Sequence, residues 1–215
     1  MSFNYSVMLN VESKPVLVVG GGTVAKRKIK DLLTLKAKVT VIAPSILEDI
    51  RNFALTGSCQ CLQRPFELSD IETFHPFIVF AATDNFALNR EITNYCNTRQ
   101  ILVNSITEPS EGSLSVQATI RKPMYAVSVS TYGQGPGFSK ALKEHLQTVL
   151  NERFDLVVQL YIDIRQWLFA TYIDSDVRIN YLRKLTFQNI NSLMNDEALE
   201  YDQLLEKVKE WLSCS

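Results

Sequence analysis

The chain has 215 residues, 46% of them hydrophobic, enough to bury a core in one large or two small domains and too few for a large multidomain machine. Lysine and arginine number 22 against 23 aspartates and glutamates, so a net charge of -1 supplies no long-range field to draw nucleic acid or an anionic membrane. The longest apolar runs are strand-sized, well short of the roughly 18 residues that would span a bilayer, and residues 1–10 lack the charged start and apolar stretch of a secretion signal. A cytoplasmic protein without membrane or nucleic-acid partners is expected.

The first hundred residues alternate between two periodicities. Pro15 to Val19 is a short β-branched run ending in glycines, and Val24 to Leu33 then carries apolar residues at helical spacing with Lys and Arg between them. Lys38 to Ile42 reads as a second strand, stopped by Ala43-Pro44. Ile46 to Leu55 reads as a helix closed by Gly57. Cys59 to Gln63 gives a third strand, Phe77 to Ala81 a fourth, Asn85 to Asn97 a helix and Ile101 to Asn104 a fifth strand. Near-continuous apolar strands alternating with helices imply a parallel sheet covered on both faces.

The pattern changes after Ser105. Leu114 to Ile120 and Met124 to Ser130 alternate on either side of Arg121-Lys122-Pro123, as a hairpin does. A small-residue stretch, Ser130 to Gly137, leads into helix from Phe138. Phe154, Val157, Val158, Tyr161, Ile164 and Leu168 recur at three- and four-residue intervals, as do Val177, Tyr181 and Leu185, and then Leu205, Val208 and Leu212. Asp174-Ser175 and Asn195-Asp196 offer helix N-caps. The expected fold class is α/β: a Rossmann-like parallel-sheet domain at 1–112, a small hairpin and helix module at 113–150, and a helical C-terminal domain at 151–215.

The cysteines, Cys59, Cys61, Cys96 and Cys214, form no CxxC pair, and the two histidines, His75 and His145, have no second ligand at helical spacing. Cys59 and Cys61 share a strand face, but no metal site is expected.

Chemistry is concentrated in Gly20-Gly21-Gly22-Thr23-Val24-Ala25, which satisfies G-x-G-x-x-A between a strand and a helix. Gly20 permits the tight turn, Gly22 admits a pyrophosphate to the backbone, and Ala25 allows close helix-to-strand packing, so the helix N-terminus faces the phosphates. The acid that usually binds the adenine ribose at the end of the second strand is missing. That strand ends Ile42-Ala43-Pro44-Ser45, where Ser45 offers a hydroxyl and no Arg waits for a 2'-phosphate, which favours NAD over NADP. Thr83 and Asp84 follow the fourth strand at the carboxyl edge where ligands bind. Asp84 reads either as the cap of the next helix or as a cofactor contact. Asn104 ends the fifth strand at the same edge.

Val18 to Lys28, Ala81-Ala82-Thr83-Asp84-Asn85 with Asn89-Arg90, Leu102-Val103-Asn104, and Ala126 to Thr131 with the following Gly and Pro together resemble the precorrin-2 dehydrogenase and sirohydrochlorin ferrochelatase family over roughly residues 5 to 150. The resemblance implies NAD-dependent oxidation of precorrin-2 to sirohydrochlorin, in some members followed by ferrous iron insertion. It also implies a homodimer joined through the segment after the nucleotide domain, with the tetrapyrrole in the cleft between domains. By position, Thr23 and Val24 would contact the pyrophosphate side of the cofactor, Pro44 and Ser45 its adenosine side, and Ser130 and Thr131 would border the substrate cleft.

One departure bears on catalysis. Where the family carries a catalytic Asp three residues after the strand-end Asn, this chain has Thr107, which without a partner is no general base near neutral pH. Glu108 is the adjacent carboxylate that would substitute. Slow dehydrogenation with weak or absent chelatase activity is the expectation. The alternatives are a non-catalytic tetrapyrrole-binding or carrier protein that retains the nucleotide site, and a nucleotide-sensing regulatory domain.

Overall fold

A computed structural model describes residues 5–194 and 199–214. In chain order the nucleotide unit contains β1 (Pro15–Val19), α1 (Thr23–Thr34), β2 (Lys38–Ile42), α2 (Glu48–Leu55), β3 (Cys59–Leu62), α3 (Ser69–Phe74), β4 (Ile78–Ala81), α4 (Phe86–Thr98) and β5 (Leu102–Ser105). All five strands are parallel, in the order β3-β2-β1-β4-β5. Within this unit the expected strands and helices are present with ends shifted by one or two residues, except that α3 is additional; beyond it, the hairpin segment expected from Leu114 is strand only from Ala118. Helix α3 has six residues, too short for the helical period to show, and its Ile71 is buried with Leu17, Val79 and Ile92.

Strand alternation divides the core in two. Val16 and Val18 of β1 join Val39, Val41, Ile78 and Phe80 beneath Ala25, Ile29 and Leu32 of α1 and Ile50 of α2. Leu17 and Val19 point the other way, with Val79, Ala81 and Val103, onto Ile71, Ile92 and Cys96. Burial on both faces is why these strands read as continuous apolar runs rather than as alternation. The chain moves outward from β1 through β2 to β3, then returns past β1 to β4, so the strand order reverses at β1/β4. The glycine turn leaves the sheet at that reversal, the place where open α/β sheets bind ligands.

The described chain forms two compact units. One runs to Gln117 and takes in Ser130–Pro136; the other comprises Ala118–Val129 and the residues from Gly137 on. The second unit holds an antiparallel hairpin, β6 (Ala118–Arg121) and β7 (Ala126–Val129), with Thr119 opposite Ser128 and Ile120 opposite Val127. Lys122 at its turn pairs with Asp155 at 2.6 Å, and the Tyr125 hydroxyl donates to the other oxygen of that carboxylate at 2.6 Å. These bonds tie the hairpin to α6 (Glu152–Thr171) and hold Asp155 below the usual carboxylate range, while burial, helped by the bond to Asp155, pushes the Tyr125 phenol up to about 12.

The hairpin is followed by α5 (Pro136–Val149), and around α6 lie α7 (Ser175–Lys184), α8 (Phe187–Leu193) and α9 (Tyr201–Cys214). The buried stripe of α6 is Val157, Leu160, Ile164 and Leu168. Tyr161, expected in that stripe, is instead 37% exposed, because Leu160 completes the narrower 3-4-4 spacing that faces Ile190, Leu204 and Val208. Asp174 caps α7 as expected, its carboxylate accepting from the amides of Asp176 and Val177, whereas the Asn195-Asp196 cap lies outside the described residues. Among the described residues no helix is long and apolar enough to cross a membrane.

Candidate nucleotide site

The three glycines do different work. Gly20 has φ +124°, a conformation closed to ordinary L-residues, and a Cβ there would lie 2.2 Å from the Ala82 carbonyl oxygen. A Cβ on Gly21 would lie 2.2 Å from the Ser45 carbonyl oxygen and 2.8 Å from Ile46 Cα. Its own carbonyl accepts from Leu47 N at 3.0 Å. The turn after β1 is thus pressed against the loops after β4 and β2 at once.

Gly22 meets nothing within 4 Å. It is the N-cap of α1 and supplies no side-chain acceptor, so the amides of Thr23 and Val24 open onto an exposed surface. An uncapped helix start behind a residue with free space in front of it is a cradle that suits an anionic pyrophosphate. Ala25 is fully buried beneath it, as close packing of α1 requires. One turn further on, burial, helped by the neighbouring Arg27, draws the Lys28 ammonium down to about 8, with its nitrogen 5.8 Å from the Phe80 ring centroid.

Loop placement explains the residues expected to flank the dinucleotide. Pro44 and Ser45 are exposed beside the glycine turn, and the Gln63 amide donates to the Pro44 carbonyl at 3.4 Å. Thr83 is fixed by Asn89, to which the sequence alone attaches no role. Asn89, fully buried on α4, accepts from Thr83 N at 3.1 Å and from its hydroxyl at 2.7 Å, and donates from Nδ2 to the Thr83 carbonyl at 2.9 Å. A buried amide satisfied by both main-chain groups of one residue leaves that residue a single conformation. A polar residue at a core position of an amphipathic helix is the signal that would have found it.

Asp84 is exposed and does not cap α4. Asn85 does, its Oδ1 accepting from Leu88 N at 3.1 Å, because the helix begins one residue later than expected.

The strand-end Asn104 is buried, and its Nδ2 donates to the Leu114 carbonyl at 2.9 Å. This bond holds the returning segment along β5, where Gly112 fits so tightly that a Cβ would lie 2.8 Å from the Val103 oxygen. Thr107 is half-buried, its hydroxyl 3.4 Å from that of Ser105, and Ser105 Oγ also accepts from Glu108 N at 3.2 Å. The Glu108 side chain stands in solvent and accepts from Ser110 Oγ at 3.1 Å. Neither residue is placed against a group that would activate it. Ser130 and Thr131 lie in a separate turn, where Ser130 Oγ accepts from Tyr132 N and Thr131 Oγ1 from Gly135 N, each at 3.1 Å. A shallow pocket of about 250 Å³, lined by Pro15, Lys38, Phe74 and Pro76 among others, lies toward the amino ends of β1 and β2, away from all these residues.

Known proteins match this arrangement. A family model described as putative NAD(P)-binding covers residues 7–118. A precorrin-2 dehydrogenase of Priestia megaterium is 26% identical over 208 residues, spanning 97% of this chain and 96% of its own length. A siroheme synthase of Aeromonas hydrophila is 32% identical over 158 residues, 73% of this chain but 33% of that protein, so the chain spans about a third of the longer enzyme. The solved structure of SirC, a precorrin-2 dehydrogenase, superimposes with a TM-score of 0.77 at 23% identity, over 96% of this chain and all of that one, and shares its fold.

Proposed function

The chain belongs to the putative NAD(P)-binding family, and from that premise we propose that it is an NAD-dependent precorrin-2 dehydrogenase of siroheme synthesis. The observation that carries this reading is the likeness to a precorrin-2 dehydrogenase along nearly the whole of both chains, helical unit included. A carrier that merely kept the nucleotide site has no such support. NAD supplies the hydride acceptor when bound. The residues fit it: the Thr23 and Val24 amides meet the pyrophosphate, Gly20, Gly21 and Gly22 bring the backbone close, and Pro44 and Ser45 line the adenosine. Thr83, Asp84 and Asn104 border the nicotinamide side along the carboxyl edge.

Oxidation of precorrin-2 removes a hydride and a proton. Holding the donor carbon beside the acceptor supplies much of the rate, so the reaction tolerates a poor base. Thr107 stands where the family carries its base, and Glu108 is the adjacent carboxylate that would receive the proton. Metal insertion depends on removing pyrrole protons and gains nothing from hydride positioning, so ferrochelatase activity is weak or absent. Ser130 and Thr131 contact the tetrapyrrole.

The segment 113–150 joins two copies into a cytoplasmic homodimer, with 1–112 as the nucleotide domain and 151–215 as the helical one. In support, every residue of α5 is exposed or half-buried, with Phe138 66% and Val149 54% exposed. A monomeric mass by light scattering at micromolar concentration contradicts the dimer. Anaerobic incubation with enzymatically made precorrin-2 and NAD tests the activity. NADH appears if the assignment holds, and its absence from both the native chain and Thr107→Asp overturns it.

A further inference from the structure

Cys59 and Cys61 take no part in the nucleotide site. Alternation along β3 sets both side chains on one face, and their sulfurs are 3.8 Å apart. Cys61 Sγ is also 3.8 Å from the Ile50 carbonyl of α2. Both residues are half-buried at the margin of the core, on a strand that ends the sheet. Cys96 is buried and Cys214 exposed on other elements.

A disulfide does not fit this pair. Strand residues two apart have Cα atoms about 6.6 Å from each other and parallel side chains, whereas an S–S bond of about 2.05 Å needs Cβ atoms about 3.8 Å apart. Closing that bond would unpleat β3 and break the register of Cys59 with Val39 and of Cys61 with Val41. One atom inserted between the sulfurs removes the obstacle. Among the described residues no third side chain of metal-ligating type joins the pair, so the site suits an electrophile satisfied by two sulfurs rather than an ion that takes four ligands. Burial pushes the Cys59 thiol up to about 12, which keeps it protonated and disfavours reactions that need a single free thiolate.

We propose that Cys59 and Cys61 form a dithiol receptor for trivalent arsenicals of the R–As(OH)2 class. Two As–S bonds form as two As–O bonds break. Each thiol proton leaves with a hydroxide as water, and arsenic remains trivalent, so no oxidant or reductant is consumed. Chelation by two thiols already in register gives an adduct that a monothiol cannot displace.

Full-length protein treated anaerobically with phenylarsonous acid and weighed intact provides the test. The expected product is one phenylarsenic adduct per chain with loss of two waters, stable to excess mercaptoethanol and removed by dimercaptopropanol. The adduct persists in the Cys96→Ser, Cys214→Ser double variant and is lost in Cys59→Ser and in Cys61→Ser. Should either single variant fail to fold, peptide mapping of the native chain decides, since prior arsenical loading must shield both Cys59 and Cys61 from alkylation. No adduct, an adduct released by mercaptoethanol, or one that shields Cys96 or Cys214 instead overturns the proposal.

Discussion

Two loops at the carboxyl edge of one sheet are built in opposite ways. The turn after β1 is held by main chain against main chain, with Gly20 on Ala82 and Gly21 on Ser45, and the neighbouring loop is locked by the wholly buried Asn89. The segment after β5 is anchored by Asn104, by Ile106 N on the Ala81 carbonyl and by Asn97 on the Glu111 carbonyl, but the side chains of Thr107 and Glu108 themselves have only hydroxyl contacts of 3.1 to 3.4 Å. Gripping a cofactor demands fixed backbone, which admits little substitution. The proposed proton-handling positions, Thr107 and Glu108, are side chains on a partly solvated loop, and one can be exchanged there without disturbing the core.

The strongest way to break this contrast is at the rigid loop. Gly21→Val drives a side chain into the Ser45 carbonyl, and we expect a loss of about 3 kcal/mol or more in denaturant unfolding, together with loss of NAD binding by calorimetry. At the other loop, Thr107→Asp should raise anaerobic dehydrogenase turnover by about 10² and bring ferrochelatase activity up with it, while stability changes by less than about 0.5 kcal/mol. If turnover is unchanged in Thr107→Asp yet lost in Glu108→Gln, then Glu108 is the working base.

Asn89→Ala takes the side-chain partner from the Thr83 amide and carbonyl and leaves its hydroxyl with Asn85 alone, at an expected cost of about 1 to 3 kcal/mol in thermal unfolding, with weaker NAD binding. Gly22→Asp sharpens the comparison from within the same glycine triplet. With open space at that position and Asp as good an N-cap as Gly, unfolding should move by less than about 0.5 kcal/mol, while bulk and negative charge lower NAD affinity by at least about tenfold.

The smallest effect is expected at a third loop, where Arg64 holds Asp70 through a 2.5 Å bond and draws its carboxyl below the usual range. Because the folded value is depressed, this pair stabilises fully above the unfolded value near 3.9 and its contribution fades as pH falls through the lower folded one. Asp70→Asn should remove that acid-side slope and leave neutral-pH behaviour of both carboxyl-edge loops alone.

Apolar runs bounded by glycine and proline made the five strands legible, since burial on both faces leaves a continuous hydrophobic signature. The glycine turn was legible for the same reason that it is rigid: only glycine meets its backbone demands. The role of Gly21 was not, because its contact with Ser45 joins residues 24 positions apart and no local pattern encodes it. Asn89 shares the helical stripe of Ile92 and Cys96, so its burial is legible from spacing, but its partner Thr83 is not. Helix α3 fell below the length at which periodicity speaks, and Asp84 and Asn85 are interchangeable as caps in sequence terms.

The contact between Gly21 and Ser45 also sets a distance. The proposed phosphate and adenosine subsites share one piece of backbone, reinforced by the bond from Leu47 N to the Gly21 carbonyl, which on this proposal sets their separation. On this proposal we expect little ordering of these loops when a dinucleotide binds, so that the conformational entropy lost belongs mainly to the ligand's own torsions. Fragments carrying only the phosphate or only the adenosine should each find their subsite unaided, and joining them should gain the full advantage of linkage, with no protein rearrangement to offset it.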